Sequence, residues 1–251
     1  MKKLLDFLYP ARCLLCGNTS DNRFAGQLCE PCAADIPLNP DACKHCAIPL
    51  ITTDPHSQQP PAHCAQCIKT PPVYESCWSP FIYAQPLEWM IQQLKFNAKL
   101  DLAPLLSRLV LENLPAHLYT SDRPDVIIPM PLHSRRLQQR GFNQSHLLIK
   151  PIAQALNLPL DLKSSTRIRD TEHQTGKTAR QRRQNINNAF SYNHQYNHQH
   201  VVIFDDVVTT GSSVSELTKT LKRGGVKRVD IWCLARAENK GGKQAQITSA
   251  K

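Results

Sequence analysis

No stretch of this 251-residue chain stays apolar for long, and none approaches the roughly 18 residues that a membrane-crossing helix needs. The opening Met1–Pro10, MKKLLDFLYP, carries two lysines and a few leucines, but Asp6 interrupts its apolar run and Pro10 ends it. It therefore lacks the unbroken apolar core and small-residue cleavage site of an export signal, and the expected compartment is the reducing cytoplasm. Aromatic residues are scarce, at 6%. Acids are outnumbered, 20 against 30 lysines and arginines, giving a formal net charge of +10. That excess suits a polyanionic partner such as nucleic acid, a phosphorylated metabolite or an acidic protein. With 41% hydrophobic residues, the chain is long enough for one mid-sized domain with a real core plus a small one.

What the chain does have is cysteine, and it is not scattered. Eight of the ten cysteines form four C-x-x-C pairs before residue 70: Cys13/Cys16, Cys29/Cys32, Cys43/Cys46 and Cys64/Cys67. Twelve residues separate Cys16 from Cys29, and seventeen separate Cys46 from Cys64. A C-x-x-C knuckle aims two thiolates at one point, and two knuckles closing on one ion give the tetrahedral sulfur set that zinc favours. Disulfides are disfavoured in a reducing compartment. Four pairs exceed what thiol exchange needs, and an iron–sulfur cluster is a lesser alternative. Pairing first with second and third with fourth is the default, with a crossed arrangement still open. His45 and His63 stand beside ligands, but full thiolate sets leave them unneeded. Residues 13–67 hold few large apolar side chains, so metal ligation, on the order of 10 kcal/mol per site in isolated fingers, would supply missing folding free energy. Ile48–Pro61 reads as an exposed loop inside the second ribbon. Cys77 and Cys233 lie in apolar, strand-like runs and read as buried and inert.

After Pro71–Pro72 the texture changes. Val73–Tyr83 looks strand-like, and Leu87–Lys95 places Leu87, Met90, Ile91 and Leu94 on one helical face. Leu102–Leu111 and Gln144–Ala155 read as helices, and DVII at Asp125–Ile128 as a short buried strand ended by Pro129. HVVIF at His200–Phe204 is a second strand, Ser213–Lys222 a helix, and Arg228–Leu234 a third strand. Strands alternating with helices predict an α/β fold, a parallel sheet covered on both faces. Asn193–His200, with three histidines, reads as a polar hairpin rather than a metal site, and residues 237–251 as a disordered tail.

The most informative stretch is VVIFDDVVTTGSSVSE, Val201–Glu216. An apolar strand runs into Asp205 and Asp206, then into Thr209, Thr210, Gly211, Ser212 and Ser213, then into a helix. In open α/β sheets ligands sit beyond the carboxyl ends of the strands. A small-residue bend opening a helix aims backbone N–H groups and the positive helix end at an anion. Two carboxylates beside it can accept hydrogen bonds from vicinal hydroxyls, and a diol next to a phosphate describes ribose 5-phosphate. The string resembles the phosphoribosyl-diphosphate signature of type I phosphoribosyltransferases. That resemblance implies that Asp205 and Asp206 hold the ribose hydroxyls and that Thr209–Ser213 hold the 5-phosphate.

Two basic stretches flank this signature. After Pro129–Leu132 come His133, Arg135, Arg136, Arg140, Gly141, Phe142, Asn143 and Gln144. Arginines after a strand-end turn suit a diphosphate grip, because the guanidinium can clamp phosphate oxygens with two bonds; a solvated helix start is the plainer alternative. Thr166–Phe190, with Arg167, Arg169, Lys177, Arg180, Arg182, Arg183 and Asn185, stands where type I transferases carry a mobile loop over the substrate. GKT at Gly176–Thr178 resembles the end of an NTPase phosphate loop, but Thr171 stands where its first glycine belongs and no strand precedes it, so that reading is rejected.

CLLC near the start, the second ribbon, PMPLHSRRLQQRGFNQS, RDTEHQTGKTARQRRQNINNAF and VVIFDDVVTTGSS occur in that order. Together they resemble the ComF family of competence proteins, also described as GntX-like or amidophosphoribosyltransferase-like, across residues 8–236. The resemblance implies a double zinc ribbon over 8–70 and a type I phosphoribosyltransferase-like domain over 73–236. It also implies two structural Zn²⁺ ions, and Mg²⁺ bound with phosphoribosyl diphosphate. Arg135, Arg136 and Arg140 would face the departing diphosphate, and Asp205 and Asp206 would fix the ribose. The family is associated with natural transformation and the handling of incoming single-stranded DNA, with a helicase-like protein as a candidate partner. A non-catalytic nucleotide- or DNA-binding accessory is the alternative function, and no acceptor base follows from these residues.

Overall fold

The computed structural model describes residues 11–20, 27–50, 62–170 and 186–238. Its centre is a parallel sheet of five strands: β1 (Cys77–Trp78), β2 (Phe81–Ile82), β3 (Val126–Pro129), β6 (His200–Val208) and β7 (Arg228–Arg236). β6 and β7 form the middle, β3 flanks β6, and β1 and β2 follow one another along the far edge of β7. The Val- and Ile-rich runs of β3, β6 and β7 are buried almost throughout, as a parallel sheet covered on both faces requires.

Alternation along the strands divides the core. Val202, Phe204, Trp232 and Leu234 pack with the helices Leu87–Asn97, Leu102–Asn113 and Gln144–Ala155. Val201, Ile203, Val229, Ile231 and Cys233 pack with the helix Ser212–Arg223, through Val214, Leu217 and Leu221. Each fully buried Leu, Ile or Phe contributes roughly 1.5–3 kcal/mol relative to exposure, so these two layers dominate the stability of the molecule. Cys77 and Cys233 are both buried in the second layer.

The predicted helices and the three main strands form where expected, with two differences. Val73–Tyr83 is not one strand: Ser79–Pro80 divides it, because proline has no N–H to give the ladder, and Asn39 N–H donates to the Pro80 carbonyl at 2.8 Å. β6 runs on past Phe204, carrying Asp205 and Asp206 inside the strand. A short helix, Ser134–Arg140, holds the first arginine group. An antiparallel pair, β4 (Ser165–Arg167) and β5 (Phe190–Tyr192), brackets the second basic stretch. Thr171, Gln174, Gly176–Thr178, Arg180, Arg182, Arg183 and Asn185 lie outside the described residues, as do the greater part of Ile48–Pro61 and all of 239–251.

The cysteine-rich region is not a separate bead. Cys13, Leu28 and Ile36 belong to the main core beside Phe81 and Leu87, and Ile82 N–H donates to the Pro37 carbonyl at 2.9 Å. Among the described residues no helix is long and apolar enough to cross a membrane.

Candidate functional site

The knuckles pair in sequence order. Cys13, Cys16, Cys29 and Cys32 gather in one group and Cys43, Cys46, Cys64 and Cys67 in another, with the sulfurs of each within 4.8 Å of one another. Cys16 and Cys29 Sγ stand 3.6 Å apart, and Cys46 and Cys64 Sγ 3.7 Å. A zinc–sulfur bond of about 2.3 Å in a tetrahedron places neighbouring sulfurs roughly 3.8 Å apart, whereas a disulfide needs about 2.05 Å. Cys64 N–H donates to Cys43 Sγ at 3.2 Å, a bond that favours thiolate. The hydrogen bond from Cys46 brings the Cys43 thiol down to about 3, while burial pushes Cys67 up to about 12. Without a cation the four thiols cannot all ionise together. The two tetra-cysteine groups fit two zinc sites. His45 and His63 stack on each other, ring centres 4.3 Å apart, and lie outside the ligand sets.

The second centre lies at the carboxyl end of β6. Both acids reach the first turn of the helix Gln144–Ala155, whose start Asn143 caps by accepting from His146 N–H at 3.2 Å. Ser145 Oγ donates to Asp205 Oδ1 at 3.0 Å, and Asp206 N–H donates to the same oxygen at 2.9 Å. Gln144 Nε2 approaches Asp206 Oδ1 at 3.5 Å, and the Lys95 ammonium pairs with Asp206 Oδ2. The two acids are therefore unequal. Burial and the charge of Asp206 raise Asp205 to about 7. Burial also pushes Asp206 up, but Lys95 outweighs it and holds that carboxyl below the usual range. Arg167, drawn down by burial, is partly compensated by Asp205, and its guanidinium lies 5.6 Å from the Phe190 ring centre.

The bend that follows has the form an anion site needs. Gly211, at φ 74°, precedes the helix Ser212–Arg223 in the left-handed region that favours glycine. Thr210 Oγ1 and Ser212 Oγ lie 2.7 Å apart. The arginines spread around this end of the sheet. Arg140 donates to Gln144 Oε1, and its guanidinium stands 5.8 Å from the Phe96 ring centre. Burial and the neighbouring Arg136 pull Arg140 down, and Asp206 opposes them. Arg135 is exposed, 3.9 Å from Asp170. A separate groove of about 450 Å³ runs between the helices Leu102–Asn113 and Gln144–Ala155, lined by Pro104, Leu111, Leu147 and Pro151 and by none of these acids or cysteines.

Comparison with known proteins follows the same two-part division. A double zinc ribbon domain profile matches residues 4–68, and a phosphoribosyl transferase domain profile matches residues 143–249. DNA utilization protein YhgH of Escherichia coli O157:H7 is 40% identical over 211 residues, 83% of this chain and 90% of that protein. YhgH of Salmonella typhimurium is 37% identical over 90% of this chain and 97% of its own. Competence protein F of Haemophilus influenzae is 33% identical over 84% of this chain and 90% of its own. The chain belongs to the competence protein F family. A solved glutamine phosphoribosylpyrophosphate amidotransferase from B. subtilis superposes on 51% of the chain and 25% of its own, at TM-score 0.34 and 16% identity.

Sequence reasoning left out several residues that the fold brings to this candidate site. Lys95 and Ser145 engage the acids from helices distant in the chain, and no local spacing announces them. The Tyr74 hydroxyl lies 3.6 Å from where a Gly211 side chain would begin. Arg236, at the end of β7, is buried to 4% exposure behind the bend. A basic residue closing an apolar strand was the one available signal for it.

Proposed function

We propose that this competence protein F family member binds phosphoribosyl diphosphate at the carboxyl ends of β6 and β3 and transfers the phosphoribosyl group to a nitrogen acceptor in the cytoplasm, in the service of DNA uptake or use. Asp205 and Asp206 hold the ribose hydroxyls, and Thr209–Ser213 receive the 5-phosphate on backbone N–H groups and hydroxyls. Arg135, Arg136 and Arg140 face the diphosphate as its bond to C1 breaks and negative charge gathers on the leaving group. Carboxylate and hydroxyl oxygens are the hard donors that Mg²⁺ takes; Asp205, Asp206, Thr210 and Ser212 offer them, and the ion would neutralise part of the diphosphate charge. The observation that carries this reading is that the acid pair and the bend follow one another at the end of a single buried parallel strand.

A second reading is a nucleotide- or single-strand-binding accessory without turnover, alone or with a helicase-like partner. It is favoured by Lys95, which already occupies Asp206 and must yield before a diol can bind there.

The test is release of diphosphate from phosphoribosyl diphosphate and Mg²⁺, screened over free bases, nucleosides and single-stranded DNA. Release with one acceptor class, abolished by Asp205→Asn with Asp206→Asn, is the expected result. Saturable binding with no release under any acceptor would leave only the binding reading.

A further inference from the structure

The guanidinium of Arg236 joins two places that the sequence keeps far apart. Nε donates to the Cys46 carbonyl at 2.7 Å. Nη1 donates to the Val208 carbonyl at 2.9 Å, to the Ala237 carbonyl at 2.7 Å, and to the Thr209 carbonyl. Cys46 is a ligand of the second sulfur cluster, and Thr209 opens the bend that precedes Gly211. A buried guanidinium is costly unless its N–H groups are satisfied, and its flat fork fixes the angles between the carbonyls it holds. Two further contacts tie the same regions. Tyr74, buried in the same layer as Ala47 beside Cys46, turns its hydroxyl toward Gly211. Cys77 N–H, at the start of β1, donates to the Lys44 carbonyl inside the Cys43/Cys46 knuckle at 3.3 Å.

The second cluster therefore forms the wall on which Arg236 rests. Four thiolates around a divalent cation leave a net charge of about −2, which favours a cation against the knuckle. Loss of the metal would remove that charge pattern and free the knuckle backbone, and with it the Cys46 carbonyl. Among the described residues the first cluster shows no such connection: Leu14, Leu15 and Ala33 beside its ligands pack against the main core.

We infer that Arg236 is a positioning residue that holds the Thr209–Ser213 bend in its anion-binding shape, and that this shape depends on the metal in the Cys43/Cys46/Cys64/Cys67 cluster. The phosphate affinity of the bend is thus set from the zinc ribbon. This rests on the phosphate-site reading above, and the experiment separates the two.

The full chain is compared with Arg236→Lys and with Cys16→Ser, by zinc content, by amide hydrogen exchange and by titration with inorganic phosphate. Wild type is also measured after graded chelation. Arg236→Lys is expected to keep both zinc ions while the amides of Thr210–Ser212 exchange at least tenfold faster and phosphate binding weakens at least tenfold. Chelation that empties the second cluster is expected to give the same loosening with β3 still protected, and Cys16→Ser is expected to leave the bend unchanged. Equal protection of the bend in wild type, in Arg236→Lys and after chelation overturns the inference, whatever the phosphate titration gives. Wild type that takes up no phosphate while the exchange pattern follows the expectation overturns only the phosphate-site reading. If Arg236→Lys does not fold, chelated wild type decides alone.

Discussion

The two cysteine clusters share a ligand set and differ in what stands behind them. The first leans on the main core: Cys13, Leu28 and Ile36 are buried in it, and Cys29 and Cys32 pack against it. The second is nearly its own core, with Cys43, Cys46 and Cys67 buried mainly among Ile48, Leu50 and Cys64. One cluster can draw on the hydrophobic effect; the other has little besides its ion. A small region without a core is where a metal contributes most to folding, so the second cluster is the one whose metal the rest of the molecule feels.

Removing a ligand from the second cluster should give the largest effect. Cys46→Ser is expected to lower zinc from two ions per chain to one and to drop the melting temperature by well over 10 °C, since structural zinc supplies on the order of 10 kcal/mol in isolated fingers. Metal analysis and calorimetry on one preparation check it. Cys16→Ser, at an exposed ligand of the core-backed cluster, should also lose one zinc but cost less than half as much stability. Equal losses in the two variants would break the comparison.

A smaller effect is expected at Asn39, buried to 7% exposure, whose Nδ2 donates to the Ala47 carbonyl at 2.9 Å and the Ser79 carbonyl at 3.2 Å. This amide fastens the Cys43/Cys46 knuckle to the edge of the sheet. Asn39→Ala leaves both carbonyls short of a donor and should cost about 1–3 kcal/mol, seen as a lower midpoint in urea at unchanged slope.

The last effect is one of pH, absent at low pH, and belongs to the sheet. Asp205 stands at about 7 in the folded protein against an ordinary 3.8. The folded state therefore holds a proton that the unfolded chain releases. The stability this group contributes is complete below its unfolded value and is lost as pH rises through about 7. Asp205→Asn copies the protonated acid. Its melting curve should match wild type near pH 4 and rise above it by pH 8. Parallel curves across that range would show that the acid is not perturbed.

How much of this the sequence disclosed depends on how local each feature is. The four C-x-x-C knuckles were legible because their chemistry lies within four residues, and the acid pair and bend because one strand–loop–helix carries both. The run Val73–Tyr83 misled, since apolar β-forming residues surround a Ser–Pro step that the chain uses as a break. Lys95, Ser145 and Arg236 were not legible as members of the site. Each meets its partner only once helices and strands have packed, and a lysine ending an amphipathic helix looks the same in sequence whether it faces water or Asp206.

The most direct measurement is the melting temperature of the zinc-loaded chain with saturating phosphoribosyl diphosphate and Mg²⁺, beside the same titration of Asp205→Asn with Asp206→Asn. A rise of several degrees in wild type, absent in the double variant, is the predicted result. No rise in wild type, or an equal rise in both, would contradict the claim that these two aspartates and the Thr209–Ser213 bend form one sugar-phosphate site.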